Sequence, residues 1–174
     1  MDYIDHHGAA VSGTVREKNL KNLFESFGYS LVKTIQECLS EGVQYEGCVR
    51  IIPNEEYLED GFKYFLVDGF CPQIQHYVEL KGGDKSGTTE EKIFFDLTKI
   101  QDGVYAEYPL LYIFEGKKQN DKCTRKFIRD LNKLKAAGNP YAQMVTVVMY
   151  DDLTKEFLDQ FANRPQTVLE TSFV

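Results

Sequence analysis

Between residues 62 and 81 the chain places two strand-like runs around a proline-bearing break, and this passage constrains the fold most. Phe62 to Phe70 is apolar and aromatic, the composition of a strand. Cys71-Pro72-Gln73 interrupts it, because proline has no N–H to give to a ladder. Gln75 to Lys81 predicts a second strand, so the two form a hairpin with a medium loop. With the loop centred between Gln73 and Ile74, Asp68 falls opposite Glu79. Side chains opposed in this way have Cβ atoms ~5 Å apart. Lys81 lies two residues past Glu79 and leaves the same face of the strand. Two carboxylates and an ammonium therefore converge on one side of a sheet. Two carboxylates so close repel unless a cation sits between them, and oxygen donors of this kind suit Mg²⁺ or Mn²⁺.

The rest of the chain alternates helices and strands, the pattern of one mixed α/β domain over residues 1–174. Leu20, Leu23, Phe24 and Phe27 recur at helical spacing, predicting a helix from Val15 to Phe27 that stops at Gly28. A second helix is expected from Leu31 to Ser40, and a short strand from Cys48 to Ile52. Gly82 to Thr89 is a polar loop, and Thr88 with Glu91 reads as a capping box for a helix to Gln101. Buried strands are expected at Leu110–Glu115 and Met144–Tyr150, and helices at Asp121–Ala137 and Leu153–Phe161. Beyond Asn163 the tail reads as irregular. The expected architecture is a central mixed sheet of about five strands flanked by helices.

Composition removes several classes. With 174 residues, 43% of them apolar, the chain can bury a core, and disorder is excluded as its main character. No long uncharged apolar run predicts a membrane span, and the acidic N-terminus has no apolar signal-peptide core. A net charge of −7 argues against a protein that coats nucleic acid or anionic membranes without specificity. Cys38, Cys48, Cys71 and Cys123 form no C-x-x-C pair, so they read as reduced thiols in a cytoplasmic protein, not as a zinc site. His6, His7 and His76 form no catalytic or metal pattern, and His76 reads as a lone exposed side chain in the hairpin loop. Neither a phosphate-binding Gly-x-x-x-x-Gly-Lys loop nor a Gly-x-Ser-x-Gly elbow is present.

Asp68, followed on the next strand by Glu79-Leu80-Lys81, resembles the PD-(D/E)xK nuclease superfamily. Val67 stands where that family often has proline. The resemblance runs from about residue 13 to 116 and includes the glutamate often carried by the preceding helix, here Glu17. It implies a restriction endonuclease-like fold and Mg²⁺-dependent hydrolysis of a phosphodiester, with Mn²⁺ able to substitute. Asp68 and Glu79 would hold the metal, with the Leu80 carbonyl completing its shell. Lys81 would orient or help deprotonate the attacking water and stabilise charge on the phosphate. Glu17 would reach the metal directly or through water. The resemblance further implies a type II restriction enzyme-like endonuclease acting on double-stranded DNA as a homodimer.

Other readings of the same residues stand beside this one. Asp68-Gly69 also suits a turn, Glu79 and Lys81 also suit a solvated strand face, and Glu17 with Thr14 also makes a capping box. Asp60 is a rival first acid outside the hairpin. On the substrate side, Lys117 to Lys135 holds eight basic residues against Asp121 and Asp130. Lys117, Lys118, Lys122, Arg125, Lys126 and Arg129 are candidate phosphate contacts, or a solvated helix face. Lys85, Ser86 and Thr88 in the polar loop are candidate DNA contacts, or an ordinary connection. Two further functions fit the pattern: a structure-specific junction or repair nuclease, and an inactive nuclease-like DNA-binding module.

Overall fold

The computed structural model describes residues 9–33, 50–82 and 88–162. Its centre is a four-stranded mixed sheet in the order β3-β4-β5-β6, formed by Gly69–Cys71, His76–Lys81, Leu110–Phe114 and Val145–Met149. β3 and β4 are antiparallel, whereas β4–β5 and β5–β6 are parallel. Parallel neighbours need long crossovers. Here α3 (Thr88–Gln101) links β4 to β5, and α4 (Lys122–Ala136) links β5 to β6. A two-stranded antiparallel sheet, β1 (Arg50–Ile51) with β2 (Phe65–Leu66), lies apart from the main one, and α2 (Glu55–Glu59) falls between its strands in sequence. Among the described residues the protein is thus α/β, with four strands in its main sheet and two in a second, where the sequence suggests a single sheet of about five. No helix among the described residues is long and apolar enough to cross a membrane.

Both faces of the main sheet are covered. Ile93 and Ile100 of α3 and Phe127 and Leu131 of α4 pack with Tyr77, Tyr112 and Phe114 on one face. Leu20 and Phe24 of α1 (Ala9–Ser26) and Leu158 of α5 (Lys155–Ala162) pack with Val78, Leu111 and Ile113 on the other. β5 is buried at all five positions, Leu110 to Phe114, as a strand covered on both faces must be.

The hairpin has the expected register. Gly69 pairs with Val78, Phe70 with Tyr77 and Cys71 with His76. The run from Phe62 to Phe70, however, is two strands and not one. It breaks at Val67-Asp68 because side chains replace the ladder there. The Asp68 N–H donates to Glu79 Oε2 at 3.2 Å, and the Leu80 N–H donates to Asp68 Oδ2 at 2.8 Å.

The helix expected from Leu31 is absent at its start. Val32 is extended and bridges Phe70 through two backbone hydrogen bonds of 2.9 Å, which satisfies polar groups on the outer edge of β3. Leu31 lies against Gly69 so closely that a Cβ there would meet Leu31 Cδ1 at 2.7 Å. Residues 34–40 of that expected helix, together with Cys38, Cys48, His6, His7 and the tail from Asn163, lie outside the described residues. His76 is not an exposed loop residue. It is buried in β4, with Nδ1 2.7 Å from the Ile74 carbonyl and its ring 4.7 Å from that of Phe161.

Candidate functional site

Alternation along β4 sends Tyr77, Glu79 and Lys81 to the face covered by α3 and α4. Asp68 stands across from Glu79 at the point where the ladder gives way to side-chain bonds. Lys81 Nζ lies 2.5 Å from Glu79 Oε1 and 3.1 Å from Asp96 Oδ2. The other Asp96 oxygen receives Lys99 Nζ at 2.7 Å, and Tyr112 donates its hydroxyl to Oδ2 at 2.8 Å. Glu79 is 6% exposed, Asp96 2% and Lys99 7%, so these charges are held by one another and not by solvent. Tyr105 is buried beside them, with Asp96 the nearest carboxylate to bear on its hydroxyl.

Burial and mutual charge set the protonation of the cluster. Burial, then the neighbouring Glu79 carboxylate, pushes Asp68 up to about 8, with Glu17 adding to the effect. Glu79 is raised as well, chiefly by burial, against the lowering effect of Lys81. Burial favours a neutral Lys81, but Glu79 and Asp96 outweigh it and hold the ammonium above its ordinary value. Burial likewise opposes ionisation of Asp96, but Lys81 and Lys99 outweigh it and keep the carboxylate below its ordinary value. Asp96 is thus the settled anion of the group, whereas Asp68 and Glu79 are the pair held towards the neutral form.

This donor set fits a hard divalent cation. Asp68 and Glu79 offer only oxygen, and burial first, then neighbouring carboxylates, holds both towards the neutral form, so a cation bound there would have to displace their protons. Glu79 Oε1 is engaged by Lys81 at rest, so a cation would share that oxygen with an ammonium. The Leu80 N–H is already committed to Asp68.

Glu17 lies on α1, bonded to Lys33, and its charge is felt at Asp68. Its neighbour Arg16 lies 3.8 Å from Glu115 at the end of β5. Asp60, the rival acid, caps the C-terminus of α2 and is exposed, away from the hairpin.

Asp96 and Lys99 have no counterpart in the sequence reading, although a signal existed. Ile93, Asp96, Leu97 and Ile100 follow the i, i+3, i+4, i+7 spacing of a helix's buried stripe, and Asp96 is the charged residue within it. A carboxylate at a core position of an amphipathic helix needs a buried partner, and here it has two lysines.

The basic segment divides. Lys117, Lys122, Arg125, Lys126 and Arg129 are exposed, as a phosphate track requires. Arg125, Arg129 and Lys133 line a groove of about 540 Å³ on the outside of α4, with Ile128, Asn132 and Ala136. Lys118 does not belong to this surface. It is buried in a 3-10 turn, 3.0 Å from Asp121 and 3.8 Å from Glu90, because it supplies the counter-charge for those acids. Glu90, Asp121 and Cys123 are also the one His/Cys/Asp/Glu trio among the described residues whose ligand atoms all lie within 4.8 Å of one another. Lys118 already sets an ammonium against both carboxylates of that trio. Lys85 and Ser86 lie outside the described residues, and Thr88 opens α3.

The fold and site together define an α/β protein with a buried cluster of acids and lysines at the edge of a hairpin. No protein-family model, curated protein or solved structure matches this chain.

Proposed function

We propose that the protein is a Mg²⁺-dependent DNA endonuclease of the PD-(D/E)xK kind, with a restriction endonuclease-like fold and duplex DNA as its substrate. The observation that carries this reading is the placement of Asp68 against Glu79, with Lys81 on the same strand face and bonded to Glu79. Asp68 and Glu79 would hold the metal, joined by the Leu80 carbonyl. A bound Mg²⁺ would lower the pKa of a water and draw charge from a phosphate oxygen.

The chain's own residues supply the remainder. With carboxylates on two sides, Lys81 stays an ammonium, so it acts as a fixed positive charge for the phosphate and a donor that orients the attacking water. Asp96 holds that ammonium in place and is itself fixed by Lys99 and Tyr112. Glu17 adds negative charge that is felt at Asp68. The exposed basic residues of α4 would follow the DNA backbone. Action on both strands would call for a second copy of the chain.

The test is incubation of the purified protein with plasmid, genomic and four-way-junction DNA, in Mg²⁺ and in EDTA, beside Glu79→Gln and Lys81→Ala. Cleavage in Mg²⁺ alone, lost by about 10²-fold or more in both variants, is the expected result. Discrete fragments from duplex DNA would identify a sequence-specific enzyme, and junction cutting a structure-specific one. Binding without cleavage of any of these substrates would overturn the enzyme reading.

A further inference from the structure

β6 is the last strand of the main sheet, and among the described residues no strand pairs with its far edge. A groove of about 380 Å³ runs along that edge, between β6 and α4. Ile128 and Leu131 of α4 line it with Val147 and Met149, and Lys135 and Asp152 add its two charges. At Val145 the outward backbone groups are already taken. Its N–H donates to the Ala142 carbonyl, and its carbonyl accepts from Lys135 Nζ at 2.6 Å. In a parallel ladder, alternate residues turn their N–H and C=O to the same side. Val147 and Met149 share the parity of Val145, so their N–H and C=O face away from β5. An open edge of this kind is a template for another strand.

The charges select the strand that fits. A lysine at an edge ordinarily deters strand addition. Burial alone draws the Lys135 ammonium below its ordinary value, and its partner is a carbonyl, not a counter-charge. Asp152, just past Met149, is exposed and forms no ion pair among the described residues. The strand that suits this edge brings a carboxylate to Lys135 and a cation to Asp152. A second β6, run antiparallel and centred on Val148, brings both. Val147 then lies opposite Met149 of the second copy, and Met149 opposite its Val147, so the outward N–H and C=O groups of both residues are matched. Val145, with Lys135 on its carbonyl, lies across from the second copy's Tyr150–Asp152 turn, which carries Asp152. The same contact recurs on the other side of the axis, as an isologous interface requires. Opposed side chains share a face, so Val147 and Met149 of both copies fill the groove against Ile128 and Leu131. We propose that the outer edge of β6 is the interface between two copies of this chain, joined antiparallel about a two-fold axis at Val148 and locked by Lys135 of each copy against Asp152 of the other. The proposal goes beyond the nuclease reading and does not rest on it.

The test is sedimentation equilibrium of the full chain, without DNA and in EDTA. Salt is held at about 0.15 M, where exposed charges on α4 more than about 8 Å apart are largely screened. Wild type should show a concentration-dependent equilibrium of monomer and dimer. Lys135→Glu sets two carboxylates together at each end of the interface, and Asp152→Lys sets two ammonium groups together. Each change should weaken self-association by about tenfold or more. Mixed with each other, the two variants should form a heterodimer, because both ends are then complementary. Asp152 is exposed, so Asp152→Lys keeps the proposal open to test if Lys135→Glu fails to fold. Matching melting curves would show that the variants keep the fold.

A dimer that Asp152→Lys leaves as tight as wild type would overturn the proposal and place the contact elsewhere on the surface. So would a mixture of the two variants that associates no better than either alone. A wild type that stays monomeric would also overturn it. Slow hydrogen exchange at the Val147 and Met149 amides of that monomer would assign the edge to the chain's own residues after Ala162. None of these readouts depends on cleavage, so failure here leaves the nuclease reading untouched, and failure of that reading leaves the interface standing.

Discussion

The two faces of the main sheet are buried to similar depth but filled with different chemistry. On the α1/α5 side, Val78, Leu111, Ile113 and Val148 meet Leu20, Phe24 and Leu158 in an apolar layer. On the α3/α4 side, Glu79, Lys81, Asp96 and Lys99 share their layer with Tyr77, Tyr112 and Phe114. The strand is the same, and the difference is the parity of the residue number. The apolar layer lowers its free energy by leaving water. The charged layer must recover its desolvation cost through mutual pairing, and it does so incompletely, since Asp68 and Glu79 remain displaced towards protonation. One face is apolar throughout, and the other carries buried carboxylates held towards their neutral form.

This contrast can be broken most strongly on the charged side. Asp96→Leu leaves Lys81 and Lys99 buried without their shared carboxylate, and should destabilise the protein by about 3–5 kcal/mol in urea titrations. Leu111→Ala, on the apolar side, should cost about 2–5 kcal/mol by removing packed volume. A loss in Asp96→Leu no larger than that of an exposed substitution would show that the lysines escape to solvent and that the cluster is not mutually held.

Glu79→Gln should act in the opposite direction. The wild-type carboxylate is already pushed towards its neutral form, so a neutral amide of the same shape should match or exceed wild-type stability without metal, while cleavage is lost. Lower stability in that variant would mean that the bond to Lys81 outweighs the cost of burial and the repulsion from Asp96.

The pH dependence sharpens the same point. Folded Asp68 titrates at about 8, against 3.8 for the ordinary carboxylate. Its contribution to stability is complete below the lower value and is lost as pH rises towards the upper one. Urea midpoints of the metal-free protein should therefore carry a falling component between these limits, absent in Asp68→Asn. Added Mg²⁺ should offset the fall by favouring the ionised form. The smallest effect should come from Lys126→Ala. Its pair with Asp130 is exposed to solvent, so the urea midpoint should stay at the wild-type value.

The sequence held the hairpin register because period-two alternation and a proline loop leave little freedom. The same register put Asp68 opposite Glu79. The positions of α3, α4 and β6 were legible for similar reasons, each being a sustained periodic run. Two features were not. Val32 sits in a pattern that also suits a helix, and only the open edge of β3 explains why it is extended. Asp96 and Lys99 lie in a different element from Glu79 and meet it only through folding, so no local spacing joins them. Lys118 misled for the opposite reason, because a run of lysines gives no sign of which one turns inward to meet Glu90 and Asp121.

The gap at Gly69 gives the two faces a common tolerance. Leu31, from the apolar layer, rests where a methyl group on residue 69 would lie. Residue 69 immediately follows Asp68, so anything that moves this backbone outward also shifts the carboxylate relative to Glu79. The fit of the acidic pair is thus machined from behind, by a leucine seated in a space that one residue leaves empty. Drift in the apolar layer would appear first as a change in the spacing of Asp68 and Glu79, ahead of any loss of fold.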